Sequence, residues 1–133
     1  MQTLTLYLST AVIFLGLDAI ILKNVMRPLF ETRIAPLLLD DLRLGPAVVF
    51  YLFYVAGVVW FVSVPALRDN APWQALANGA LIGAMAYGTY EFTNYATLKD
   101  WAPRMVAVDL AWGTALTGTA ALLGVLITRA LFR

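Results

Sequence analysis

The sequence predicts an all-α polytopic membrane protein, a bundle of four transmembrane helices joined by short connections. Three observations carry this. Hydrophobic residues make up 62% of the 133 residues, against roughly 45–50% in soluble domains, and mean hydropathy is +0.80. Apolar runs at about 4–22, 46–64, 75–97 and 105–127 each approach the ~20 residues that cross ~30 Å of hydrocarbon. Charged residues gather between the runs, which leaves one integral membrane domain over 1–133 and no room for a separate soluble module.

The first run begins at Leu4 and ends before Lys23, with Asp18 as its one charge. It lacks a basic leading region and a small-residue cleavage site, so it is expected to stay as a span and not to act as a signal peptide. Residues 23–45 carry Lys23, Arg27, Arg33 and Arg43 against Glu31, Asp40 and Asp41. Met26, Leu29, Phe30, Ile34 and Leu37 fall there at near-helical spacing, which fits a short helix lying in the headgroup region. A first helix that continues past the membrane surface and breaks at Pro36 fits equally, with a kink at Pro28.

Gly45-Pro46 opens the second span, and Pro65 is expected to end it after Val64. Tyr51 and Tyr54 near its start and Trp60 near its finish suit amphipathic rings at interfaces. Residues 65–74 are polar and turn-forming, and Trp73 anchors the start of the third span. That span carries Gly79, Gly83, Ala84 and Gly88; the fourth carries Gly113, Thr117 and Ala121 at steps of four, with Gly118 and Gly124 alongside. Such spacing lets helices approach closely. The connection between these two spans is short, so they should be antiparallel neighbours. Pro103 suits the first turn of the last helix, where its missing N–H costs nothing.

Four spans place both termini on one side. The connections 23–45 and 98–104 hold Lys23, Arg27, Arg33, Arg43, Lys99 and Arg104, while the terminal side holds Arg68, Arg129 and Arg133. The positive-inside rule then sets the first and third connections in the cytoplasm and both termini on the opposite side of the membrane.

Nine basic and eight acidic residues give a net charge of +1, and no basic run suggests a nucleic-acid partner. There is no cysteine and no histidine, so disulfides, histidine-ligated haem and histidine-based triads are excluded, and no cofactor or metal site is expected. Chemistry is left to carboxylates, Tyr, Asn, Lys and Arg.

Asp18, Glu91 and Asp109 lie inside spans, each about 7–9 Å below the face shared by the first and third connections at ~1.5 Å per residue. Tyr51 and Tyr54 enter at comparable depth. An ionised carboxylate costs about 2.5–3.5 kcal/mol at mid-span, so all three acids should face inward. In the stretch Tyr87 to Trp101, Tyr87, Glu91, Asn94 and Leu98 recur at steps of four, three and four, one helical stripe. The candidate polar pocket is therefore Asp18, Glu91, Asn94 and Asp109, with Tyr51, Tyr54, Tyr87 and Trp112 around it. The competing reading is structural: the acids accept hydrogen bonds from Asn94, Tyr51, Tyr54 and Trp112, or pair with Lys23, Lys99 and Arg104, and hold the bundle together. Asp18-x-x-Ile21 and Asp109-x-x-Trp112 on opposite-running helices hint at an inverted repeat.

The run Tyr87-x-Thr-Tyr-Glu-x-Thr-Asn-x-Ala-Thr-Leu-Lys-x-Trp101, followed by Val108-Asp-x-x-Trp-Gly113, resembles the bacterial four-helix integral membrane proteins catalogued as domain of unknown function family 2177. The resemblance covers essentially the whole chain, with Glu91 where Asp is the more usual residue. It implies an inner-membrane protein whose relatives accompany genes of membrane-lipid modification. It carries over no catalytic or cofactor residue. A lipid-linked enzyme or lipid-binding component is the leading expectation, with membrane lipids as partners. A small proton-coupled carrier is one alternative, although the outer halves of the spans offer little polar beyond Ser9, Thr10 and Thr117 to Thr119. A structural or accessory subunit of a homo-oligomer or membrane complex is the other.

Overall fold

The structure is a computed structural model that describes residues 1–39 and 43–132. Asp40, Asp41 and Arg133, counted in the charge balance above, lie outside the described residues. Four long helices account for almost all the rest: α1 (Gln2–Leu37), α2 (Leu44–Arg68), α3 (Pro72–Thr97) and α4 (Pro103–Leu131). No strand occurs among the described residues. The fold is an all-α membrane bundle.

By length and apolar composition α1, α2 and α4 are candidate spans. At 26 residues α3 is long enough as well, but Gly79, Gly83, Gly88 and its threonines, tyrosines and amides dilute its hydropathy. Packing fixes its depth instead. It runs antiparallel to α4 along nearly its whole length, the most extensive helix contact in the molecule. Gly79 lies against Gly118 and Ala121, Gly83 against Gly113 and Thr117, and Gly88 against Leu110. α4 also packs against α1 on another face, where Gly124 meets Thr10 and Leu6. Residues 76–91 of α3 thus sit beside the middle of a spanning helix.

Of the two readings of residues 23–45, the structure has the one in which the first helix continues through Pro28 to Leu37. The second helix, against expectation, does not end before Pro65, and the physical reason is the same in both. Each widens into one π-helical turn, Leu22–Met26 in α1 and Val59–Ser63 in α2, then continues as α-helix through the proline two residues later. Within an α-helix the proline ring clashes with the carbonyl one turn back. A π turn relieves this by moving the preceding bond back one residue. Arg27 N–H reaches the Leu22 carbonyl, and Val64 N–H reaches the Val59 carbonyl, both five residues away. The last helix likewise runs beyond its expected ends, from Pro103 to Leu131, with Pro103 in its first turn.

The continued end of α1 is not a separate helix lying in the headgroups. Its apolar stripe is used within the protein: Ile34 is buried with Trp101, Ala102, Met105 and Val106, and Leu29, Phe30 and Leu38 pack against that cluster. Residues 27–38 roof the end of the bundle where α3 turns into α4. The main core lies deeper and draws Leu6 and Phe14 from α1, Val55 to Val62 from α2, Ala75 from α3 and Leu116 to Val125 from α4.

Candidate functional site

Beneath that roof lies a partly enclosed cavity of about 370 Å³. Asp18 of α1 and Asp109 of α4 supply its carboxylates; Tyr51 and Tyr54 of α2 and Tyr87 and Tyr90 of α3 supply phenol rings. The space exists because α2 and α3 splay. α3 packs against the later part of α2, around Val59–Ser63 and Val64–Arg68, but makes no comparable contact with its first half. Leu22, Ala47 and Phe50, from α1 and α2, line the cavity while remaining exposed, so the cavity is open at an apolar rim.

Each acid is held differently. Trp112 Nε1 donates to Asp18 Oδ1 at 3.1 Å, linking α4 to α1, and the Tyr51 hydroxyl lies against the same carboxylate. Trp101 Nε1 donates to Glu91 Oε1 at 2.9 Å. Glu91 is fully buried, and its Oε2 has no hydrogen-bond donor; its carboxyl group abuts that of Asp109. Asp109 is 8% exposed and faces the cavity. Among the described residues the ion pairs are Arg27 with Glu31 and Arg68 with Asp69, so none reaches these three acids.

The aromatic wall on α2 is continuous. The Phe14 ring of α1 stands 5.6 Å from both Tyr51 and Tyr54, and Phe50 stacks on Tyr54 at 6.1 Å with 11° between planes. At the cavity floor the Tyr54 and Thr117 hydroxyls share a hydrogen bond of 3.0 Å. Tyr87 can lie flat across α4 because residue 113 is glycine; a Cβ there would fall inside its ring. The Tyr87 hydroxyl is buried without a partner.

Of the residues singled out in the sequence, Asp18, Asp109, Tyr51, Tyr54 and Tyr87 line this one cavity. Trp112 and Glu91 stand behind it, each touching a lining acid. Asn94 is not among the lining residues; it lies half-buried beside Tyr90, its neighbour one turn back. Leu98 falls outside α3, which ends at Thr97, so the stripe stops short. Trp101, Phe30, Tyr90 and Thr117 were missed as parts of the site. Trp101 closes the Tyr87 to Trp101 run ten residues after Glu91, and only the turn between α3 and α4 folds it back. Its ring then meets Phe30 at 5.2 Å and Tyr90 at 5.9 Å. No group of three or more metal-ligating side chains gathers among the described residues.

A family model described as predicted membrane protein (DUF2177) matches residues 3–126, nearly the whole chain. No curated protein and no solved structure matches.

Proposed function

The chain belongs to this family of predicted membrane proteins, and from the cavity it builds we propose that it is a lipid-linked protein that takes a lipid headgroup in from the bilayer. The observation that carries this is the open rim: two carboxylates line a cavity whose rim, Leu22, Ala47 and Phe50, is apolar and exposed, as access from the bilayer would require. A lipid diffusing in the leaflet can place its headgroup among the acids while its chains stay in hydrocarbon. Buried carboxylates used only as structural ties would be closed over, since an open polar pocket in a membrane is costly. The Trp112 bond to Asp18 does support a structural share for that residue. The adjoining carboxyls of Glu91 and Asp109 are the groups best placed to exchange a proton if the protein also performs chemistry.

The test is native mass spectrometry of purified protein released from micelles carrying bacterial phospholipid. The wild type should retain a lipid adduct that the double variant Asp18→Asn, Asp109→Asn loses. Equal retention in both, or none in either, would overturn the reading. Asparagine can still accept from Trp112, so a folded variant is expected.

The reading includes an orientation in the inner membrane, with the roof residues 27–38 and the cavity towards the cytoplasm and the termini in the periplasm. Lys23, Arg27, Arg33, Arg43, Lys99 and Arg104 on the roof side support it. Reporter fusions within 65–74 and after residue 132 should behave as periplasmic. A cytoplasmic signal at either would invert the assignment.

A further inference from the structure

Resting on that headgroup reading, we infer that the ligand group held between Asp18 and Asp109 is an ammonium, as carried by an amine-bearing lipid headgroup. The cavity combines the two features that recognise such a group. Asp18 and Asp109 enter from α1 and α4 as carboxyl acceptors, and no ion pair engages them among the described residues. Aromatic rings come mainly from the other two helices, Phe50, Tyr51 and Tyr54 on α2 and Tyr87 and Tyr90 on α3, with Phe30 added from α1. Rings around a cation attract it through their negative faces, and aromatic cages of this composition hold alkylated ammonium groups. The remaining lining, Leu22, Met26, Ala47 and Ala86, is apolar, which suits methylene or methyl groups on the nitrogen.

A bare hard cation fits poorly. Calcium takes six to eight oxygen ligands, whereas the lining offers two carboxylates and phenols in an otherwise apolar wall. An anionic headgroup would meet two like charges without a lining cation. A protonated amine also answers an internal deficit. The Tyr87 ring lines the same space while its hydroxyl is buried without a partner, and fully buried Glu91, its Oε2 without a donor, backs Asp109. Each Asp109 oxygen left open by Glu91 is therefore available to the ligand. The size is adequate, since ligand cavities run from about 300 Å³ upwards and this one holds about 370 Å³.

The experiment compares wild-type protein in nanodiscs titrated with phosphatidylethanolamine, phosphatidylcholine or phosphatidylglycerol, read by native mass spectrometry and by Tyr/Trp fluorescence. A parallel arm uses free ethanolamine and tetramethylammonium. One or both amine-bearing lipids should bind, and phosphatidylglycerol should bind roughly tenfold or more weakly. Asp109→Asn should weaken the amine lipid by roughly thirtyfold. Tyr90→Leu should weaken it several-fold while Tyr90→Phe, which keeps the ring, should not. If Asp109→Asn fails to fold, Ala86→Leu, which fills the cavity from α3 without touching an acid, should abolish the same adduct. Tight phosphatidylglycerol binding that Ala86→Leu removes would overturn the ammonium inference and leave the headgroup reading standing. Binding of free ethanolamine with no lipid bound would keep the ammonium and overturn the lipid source. No binding in any arm would overturn both.

Discussion

The α3/α4 pair packs on opposite principles at its two ends. From residue 76 to 83 of α3, glycine faces glycine or a small residue, and backbones touch: a Cβ on Gly79 would lie 3.0 Å from the Gly118 Cα, and one on Gly118 would lie 2.9 Å from the Leu76 carbonyl. From residue 87 onward large rings and carboxylates fill the contact between the helices, α2 diverges from α3, and a cavity opens. Lipid chains are as apolar as leucine, so the membrane offers little reward for burying leucine. Stability in such a bundle comes from close contact and from hydrogen bonds, and the molecule uses contact at one end and bonds at the other. The close-packed end fixes the angle of the pair and so holds open the polar end.

Substitutions can break this contrast at each end. The largest effect is expected from Gly83→Leu, because a side chain there meets the Gly113 carbonyl oxygen, which cannot move without parting the helices. It should cost about 3 kcal/mol or more, at the upper end for overpacking, measured as loss of thermal stability in detergent. Gly113→Ala should cost about 1–3 kcal/mol, since the methyl group displaces the Tyr87 ring. It should also change the cavity, which Tyr87 lines. Combining it with Tyr87→Ala should therefore cost less than the two single changes added together, a coupling that a double-mutant cycle reads directly. Strict additivity would show that the close-packed end does not shape the cavity.

At the polar end, Trp101→Phe removes the donor to Glu91 Oε1 and leaves a buried carboxyl group without a tryptophan partner, at about 1–3 kcal/mol. Glu91→Gln retains the acceptor for Trp101 and should be milder in the same melting experiment. If Gln proved as damaging as the tryptophan change, charge and not the hydrogen bond would be what Glu91 contributes. The smallest effect should come from Ser63→Ala in the π turn of α2. Its hydroxyl is fully buried and unpartnered, so its loss should shift stability by no more than about 0.5 kcal/mol in either direction. A large loss would reveal an occupant hydrogen-bonded to Ser63.

Much of the arrangement is legible in the chain. Composition places it in a membrane, because so apolar a sequence with short polar connections has no other solvent for its surfaces. The glycine spacing of residues 79–88 and 113–124 announces a close antiparallel pair, since only small residues allow that approach. Glu91 and Asp109 each lie six residues from the turn that joins α3 to α4, so the fixed rise of a helix brings these two acids to one level.

Other features depend on contacts between segments distant in sequence. Pro65 reads as a breaker and Pro28 as compatible with either a break or a kink, yet a π turn before each lets the helix continue, held by the roof cluster at Pro28 and by the core at Pro65. Which acid receives which donor depends on how α1, α3 and α4 rotate about their axes. That rotation gives Trp112 to Asp18 and Trp101 to Glu91, and it leaves Asn94 beside Tyr90 but outside the cavity lining. The sequence by itself determined the solvent and the number and order of the helices, because these follow from local composition and hydrophobic run length. The tertiary structure alone decided that α2 and α3 part to leave a cavity, because the width of a gap is set by side chains from four helices acting together.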